Sequence, residues 1–484
     1  MPTLSRRQAL ASLAAPSILR AQAPQRPNIL FIMSDDHAAH AISAYGSKIN
    51  KTPNLDRLAT EGARLTNCFA TNSICTPSRA AILTGQYSHK NGVYTLNDQL
   101  DPARDHVAKR LQASGYQTAM IGKWHLATDP TGFDHWNILP GQGLYHNPVF
   151  ITPAGRKTHQ GYCTDLIADF SLDFLNNRDK QKPFFLMCHH KAPHRAWQPP
   201  AKYADWLKDE TIPEPDNLYD KWSGKAETVM NMKMRVGPDT TKTDLKVDRP
   251  EGLEGDALRK WAYQLYIKDY LRCVRSVDDN VGRLLDYLDN NNLRENTLVI
   301  YTSDQGFFLG DHGWFDKRMM YEESIRMPFL ARYPKAIKPG TVATELTANI
   351  DFAPTFLEAA GLPAPKEMQG QSALPVLKGQ KPKQWRKSFY YRYWMHNSND
   401  HHVPAHYGVR TERYKYIEFY NKALGMKGAQ PPDSPTEYEM YDLQTDPREM
   451  TNLAHSPKHA KLRAQLKAEL TKLQTQYEDQ PVTA

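Results

Sequence analysis

Four short runs of the chain are almost unbroken in apolar residues: Asn28–Ser34 and residues 116–121, 183–189 and 297–302. Runs of that length, apolar at both odd and even positions, predict strands covered on both faces, as in a parallel sheet with helices on each side. A helical stripe follows a different period. Tyr266, Tyr270, Val274, Val277, Val281, Leu284 and Leu288 recur at spacings of three and four, predicting a long helix through Asn290 that packs on the sheet. Residues 53–63 predict a short amphipathic helix, and residues 349–356 open another. Beyond about Gln380 the pattern changes to short polar–apolar alternation at 388–394, 407–419 and 439–443, the signal of a small antiparallel sheet. A closing helix at 458–474 places Leu462, Leu466, Leu470 and Leu473 on one face. Residues 206–256, rich in Pro, Asp, Lys and Asn, have little periodicity and are expected to form a surface insertion rimming a pocket. No internal repeat interrupts this order. The prediction is an α/β fold, a large sheet sandwiched by helices, with a smaller C-terminal antiparallel-sheet subdomain.

Size agrees with that division, since 484 residues exceed the usual single core. A hydrophobic fraction of 40% and a charged fraction of 24% describe an ordinary globular chain. The formal net charge of +8 stays positive without the N-terminal segment, which contributes Arg6, Arg7 and Arg20 and no acidic residue. Mild positive charge suits anionic substrates, but no basic run with interleaved aromatics points to nucleic acid. At the N-terminus, Ser5-Arg6-Arg7 precedes small and apolar residues and Ala21-Gln22-Ala23, a pattern like a twin-arginine export signal over residues 1–23. No transmembrane segment is expected, because no apolar run approaches about 18 residues. The odd set Cys68, Cys75, Cys163, Cys188 and Cys273 gives no disulfide framework.

The chemistry-bearing residues fall where the predicted strands end. Asp35-Asp36 follows the first run, and two adjacent carboxylates there are either a solvated turn or a site for a cation. Gly122-Lys123-Trp124-His125 follows the second; Lys123 and His125 can both face a cleft or both lie on the surface, and Gly122 permits close backbone approach. His194 lies in the loop after the third run, and Asp304-Gln305 ends the fourth. Ligands of open α/β sheets bind outside the carboxyl ends of strands, so these groups can converge. Between them lies Cys75-Thr76-Pro77-Ser78-Arg79-Ala80-Ala81-Ile82-Leu83-Thr84-Gly85, read as a short helix opened by Pro and an N-cap-type Ser/Thr and closed by Gly85. Cys75 at its start is either a buried small residue or a thiol of lowered pKa, with Arg79 one turn on as a fixed cation.

That last segment resembles the modification signature of the type I sulfatases, C/S-x-P-S-R-x-x-x-x-T-G, at every defining position. Matching segments recur from about Asn28 to about Leu453, and the family belongs to the alkaline phosphatase-like superfamily. The resemblance implies that a formylglycine-generating or anaerobic sulfatase-maturating enzyme oxidises Cys75 to formylglycine. It implies Ca²⁺ held by Asp35, Asp36, residue 75, Asp304 and Gln305, although the family more often has Asn where Gln305 stands. Arg79, Lys123 and Lys317 would hold the sulfate. A hydroxyl of the hydrated aldehyde would attack sulfur, His194 with Lys317 would protonate the leaving oxygen, and His125 would deprotonate the remaining hydroxyl to release sulfate. Three loops, 132–143, 191–195 and 406–410, look most similar to bacterial exo-acting sulfatases of N-acetylglucosamine 6-sulfate. The expected substrate is therefore a sulfated carbohydrate of heparan-type or mucin-type glycans, met in the periplasm or outside the cell during glycosaminoglycan degradation. His406 and Arg410 are expected to contact it, within a His-rich stretch, 401–410, that reads either as a metal tract or, in preference, as a pocket wall. The expected division is a catalytic domain over 24–380 and a C-terminal subdomain over 381–484 that completes the pocket. A phosphodiesterase or phosphonate hydrolase of the same superfamily, or a glycan-binding protein with unconverted Cys75, remain as alternatives.

Overall fold

The computed structural model describes residues 26–482, so the expected export signal at 1–23 lies outside the described residues. Among the described residues, seventeen strands run in chain order. They are β1 Asn28–Ser34, β2 Ala63–Phe69, β3 Gln117–Lys123, β4 His135–Leu139, β5 Val149–Thr152, β6 Gly155–Thr158, β7 Phe184–His189 and β8 Thr297–Ser303. There follow β9 Phe308–Leu309, β10 Phe315–Asp316, β11 Arg326–Arg332, β12 Thr341–Ala343 and β13 Thr347–Ala348, then β14 Ser388–Tyr393, β15 His406–Thr411, β16 Tyr414–Phe419 and β17 Glu437–Asp442.

One large mixed sheet has the order β12-β2-β11-β8-β1-β7-β3-β4-β5-β6, with β13 also on β2. The four predicted runs are its adjacent central strands β8, β1, β7 and β3, all parallel. Alternation along β1 explains why both faces must be apolar. Leu30 and Ile32 enter a core shared with the helices Pro53–Thr60, Cys163–Asn177 and Gly255–Asn290. Ile29, Phe31 and Met33 enter a second core shared with the helices Cys75–Thr84, Val107–Ala113 and Phe352–Ala359. Every residue of the predicted stripe on Gly255–Asn290 is fully buried. The four predicted strands and the long helix therefore hold, with strand boundaries moved by one or two residues, while the short helix expected over 53–63 ends at Thr60 and Ala63 opens β2.

The alternating C-terminal segments form the antiparallel sheet β14-β15-β16-β17, and the helix Ala460–Gln476 packs on it through Leu466, Leu470 and Leu473. A third core joins this sheet to Phe69, Ile74, Met319 and Met320 of the larger unit. At Gly408 of β15 a Cβ would lie 2.4 Å from Met320 Sδ and from the Tyr416 carbonyl, so only glycine allows this approach. The insertion at 206–256 is less superficial than its composition suggests. Leu218, Val229, Met232, Met234 and Val236 are buried, while Lys233, Asp239 and Thr241 line a cavity over Cys75.

Candidate active site

Because β8, β1, β7 and β3 are adjacent and parallel, their carboxyl ends deliver Asp304-Gln305, Asp35-Asp36, the His190–His194 loop and Lys123 to one place. Gly122 stands at φ +101°, where a Cβ would meet the His189 carbonyl at 2.0 Å, so glycine lets β3 press against β7 beside Lys123. The helix Cys75–Thr84 then sets Cys75 above the strand ends, closed by Gly85 in the left-handed region. Its start differs from the expectation. The N-cap is Ile74, without a side-chain cap, and Ser78 lies inside the helix, its hydroxyl donating to the Asp304 carbonyl.

Asp35, Asp36 and Asp304 are fully buried and offer oxygens within 4.8 Å of one another. Cations surround them. Arg79 Nε and Nη2 lie 3.0 and 2.9 Å from Asp304 Oδ2, Lys317 Nζ lies 2.7 Å from Asp36 Oδ2, and Lys123 Nζ bonds Asp35. Lys123 also donates to Gln142, from the loop the sequence associated with substrate. Cys75 Sγ lies 3.3 Å from Asp35 Oδ1, and Gln305 Nε2 donates to Asp36 Oδ1 at 2.5 Å. Gln305 Oε1 is buried without a partner, and burial raises the Asp36 carboxyl to about 6. Three buried carboxylates with an unused amide oxygen fit a hard divalent cation.

The thiol is no anion. Burial first, then Asp304 and Asp36, push Cys75 up to about 12 against the pull of Lys317 and Arg79. The helix-start argument for a lowered pKa therefore fails, because desolvation exceeds a partial helix charge. Burial works against the Lys317 charge, but Asp316 and Asp36 outweigh it and keep the ammonium protonated. His194 Nδ1 donates to the Arg195 carbonyl, which turns Nε2 toward Asp36 Oδ2 at 3.8 Å. Burial, then Lys123 and Lys317, hold its pKa well below the usual range. His125 follows β3 at φ +56° with Nδ1 unpartnered, and burial followed by Lys123 and Arg79 depresses its basicity.

A cavity of about 440 Å³ opens over Cys75, His194 and Lys317. Its wall includes Lys233, Asp239 and Thr241 of the insertion, and Arg195 is fixed to Asp244 of that insertion at 2.6 Å. Asp316, Arg318, Asp400 and His401 line it too, with Leu96 and Gln142. His401 Nε2 lies 3.4 Å from Asp316 Oδ2, and Arg318 Nη1 is buried without a partner. His406 and Arg410 do not reach this cavity. His406 is fully buried, with Nδ1 donating to the Pro404 carbonyl at 2.7 Å and Nε2 accepting from Met320 N at 3.1 Å. Arg410 pairs with Glu322 at 3.2 Å. The His-rich stretch does supply the wall, but through His401 at its start. Asp316 and Arg318 were legible only as neighbours of Lys317.

A buried, metal-ready carboxylate set beside three cations at the strand ends defines an anion-processing hydrolase, and the comparisons name its class. Residues 27–362 match the family Sulfatase, and residues 310–476 match N-sulphoglucosamine sulphohydrolase, C-terminal. The chain belongs to the sulfatase family and is a sulfuric ester hydrolase. It is 43% identical to the N-acetylglucosamine-6-O-sulfatase of Bacteroides thetaiotaomicron, over 97% of this chain and 91% of that one. It is 28% identical to the N-acetylglucosamine-6-sulfatase of Homo sapiens, over 89% of this chain and 81% of that one. A structure in complex with its substrate D-glucosamine-2-N,6-O-disulfate superposes with a TM-score of 0.89 at 43% identity, over 94% of this chain and 98% of that one. The phosphonate monoester hydrolase of Agrobacterium radiobacter, at 21% identity and a TM-score of 0.74, shares the fold.

Proposed function

We propose that this protein removes the 6-O-sulfate from a terminal glucosamine unit of a glycosaminoglycan-type or mucin-type sugar, after export and after oxidation of Cys75 to formylglycine. The observation that carries the reading is the ring of Arg79, Lys123 and Lys317 around the Cys75–Asp35–Asp36–Asp304 cluster at the floor of one cavity. Asp35, Asp36, Asp304 and Gln305 would hold Ca²⁺, which when bound supplies a Lewis acid and offsets the carboxylate repulsion. A formylglycine hydrate at position 75 would supply the nucleophilic hydroxyl and, unlike serine, a second hydroxyl whose deprotonation re-forms the aldehyde and expels sulfate by cleavage of the first C–O bond.

The remaining chemistry belongs to side chains of this chain. The three cations match the charge that spreads over sulfuryl oxygens as the ester bond breaks. Lys317, held charged and lining the cavity, would donate the proton to the leaving oxygen. His194 presents an accepting Nε2 in the free protein, so its service as an acid depends on the negative charge of a bound sulfate ester raising its pKa. His125, neutral at ordinary pH, suits the role of base. The cavity lies in the lower part of the usual range of ligand pockets, about 300–1,000 Å³, which suits one sugar unit. Arg318 with Asp316 and His401 offers donors and acceptors for sugar hydroxyls. The names and bound substrate of the similar proteins support glucosamine as that sugar.

The test pairs two measurements on exported, matured protein: the mass of the peptide containing residue 75, and sulfate release from a panel. The panel holds N-acetylglucosamine 6-sulfate, glucosamine 2-N,6-O-disulfate, galactose 6-sulfate and an aryl sulfate. Converted residue 75 with preference for the glucosamine 6-sulfates supports the reading. Converted protein that prefers galactose 6-sulfate refutes the sugar assignment, and an active protein with unconverted Cys75 refutes the nucleophile.

A further inference from the structure

The segment carrying Lys317 has an uncommon backbone. Asp316 and Arg318, on either side of it, stand at φ +77° and +86° although neither is glycine. Left-handed backbone at such residues persists only where neighbours over-determine it. One restraint is direct: the Arg318 N–H donates to the Ser73 carbonyl at 3.1 Å, two residues before Cys75. The second comes from the C-terminal sheet. The Tyr391 hydroxyl, on β14 and fully buried, donates to the Arg318 carbonyl at 2.6 Å and lies 2.7 Å from Ser73 Oγ.

The proton order in this junction follows from the inventory of donors. A phenol has one proton, and it goes to the Arg318 carbonyl, so the Ser73 hydroxyl must donate to the phenol. Ser73 N–H points at the same oxygen from 3.4 Å, and the Ser324 hydroxyl donates to Ser73 Oγ at 3.0 Å. Burial pushes the Tyr391 pKa up, so the donor keeps its proton. Behind the ring, His406 stacks at 5.4 Å, and its Nε2 takes the Met320 N–H two residues after Arg318.

We infer that Tyr391 is a positioning residue for sulfate ester cleavage: its hydroxyl, bonded at once to Ser73 and Arg318, fixes the spacing between side chain 75 and the Lys317 ammonium, while His406 holds the ring in place. The inference rests on the proposed reading of residue 75 and Lys317 as the reacting pair. The C-terminal sheet thus acts on the chemistry without touching substrate through this residue. A misplacement on the order of 1 Å between reacting groups can cost about a hundredfold in rate, so loss of one restraint falls on turnover rather than on binding.

The experiment compares Tyr391→Phe, Tyr390→Phe, Ser73→Ala and Lys317→Ala in the full matured protein, with kcat, KM and melting temperature read for each. Tyr390 is the control, because its hydroxyl in the same strand bonds Asp479 at 2.5 Å, away from the site. Tyr391→Phe and Ser73→Ala are each expected to lower kcat about tenfold with KM within about twofold. Tyr390→Phe loses comparable stability and keeps its kcat. Wild-type kcat in Tyr391→Phe, with Lys317→Ala inactive, overturns the inference and leaves the site reading standing. Equal kcat losses in the two Phe variants also overturn it, since the cause would then be stability. Should Tyr391→Phe fail to fold, Ser73→Ala decides, and wild-type kcat there overturns the inference. Wild-type kcat in Lys317→Ala removes the site reading and the inference with it.

Discussion

At the scale of single residues, the site is built from groups that burial would disable if they stood alone. Cys75 is held protonated near 12, so the thiol as translated is a poor nucleophile. The proposed conversion to an aldehyde would remove that handicap, because a hydrate reacts through oxygen. Cys75→Ser, made in a host that matures only cysteine, is therefore expected to fold normally and to lose at least about a thousandfold in sulfate release. Persistence of full activity would exclude residue 75 as the nucleophile. Gln305 makes a separate prediction. Its Oε1 is buried and unpartnered although its amide N–H reaches Asp36, so a bound cation would satisfy an oxygen that nothing else does. Gln305→Ala is expected to weaken calcium binding about ten- to a hundredfold. The readout is the shift in melting temperature along a calcium titration, which needs no turnover.

At the scale of elements, four parallel strands carry the site and a four-stranded antiparallel sheet closes it from behind. Strand β15 shows how the closure works. His406, Gly408 and Arg410 share one face by the period of two, and they meet Met320 N, Met320 Sδ and Glu322 respectively. Gly408→Ala forces a methyl against Met320 and the Tyr416 carbonyl and is expected to cost about 1–3 kcal/mol, read from the denaturant midpoint. The same strand marks where sequence reasoning stopped. The central strands were legible because parallel strands covered on both faces leave continuous apolar runs, and the residues after each run are the site. Alternation in β15 told that two faces exist, but not which one meets substrate. The face bearing His406 and Arg410 docks on the larger unit, and His401, in the loop before it, reaches the cavity instead. Asp316 and Arg318 were legible only as neighbours of Lys317, because their left-handed backbone, which aims the Lys317 segment, leaves no periodic signal.

At the scale of the whole molecule, the buried titratable groups give the fold a pH dependence whose components have opposite signs. His106 and His190 are buried away from compensating carboxylates. His106 occupies the N-cap position of the helix Val107–Ala113 without a side-chain cap, the positive end of that helix also disfavours an imidazolium, and the Nδ1 atoms of both rings lack partners. Burial lowers each to about 3, against 6.5 in an unfolded chain. Between those values the unfolded chain binds protons that the folded chain refuses, so stability falls as the solution is acidified through 6.5. Glu323 acts the other way. Burial, with Asp311 and Glu449 nearby, raises it to about 8 against 4.5 unfolded, so the folded chain binds the extra proton and acidification from 8 toward 4.5 stabilises it. From pH 7 to 5 each histidine contributes a loss on the order of 2 kcal/mol, offset in part by Glu323. The net slope in the unaltered protein mixes these terms, but differences between variants separate them. His106→Gln with His190→Gln is expected to make the melting temperature less sensitive to a step from pH 7 to 5, and Glu323→Gln to make it more sensitive. If the histidine variant and the parent lose equally on that step, the two imidazoles titrate alike in both states, and the acid sensitivity of this fold lies with other groups.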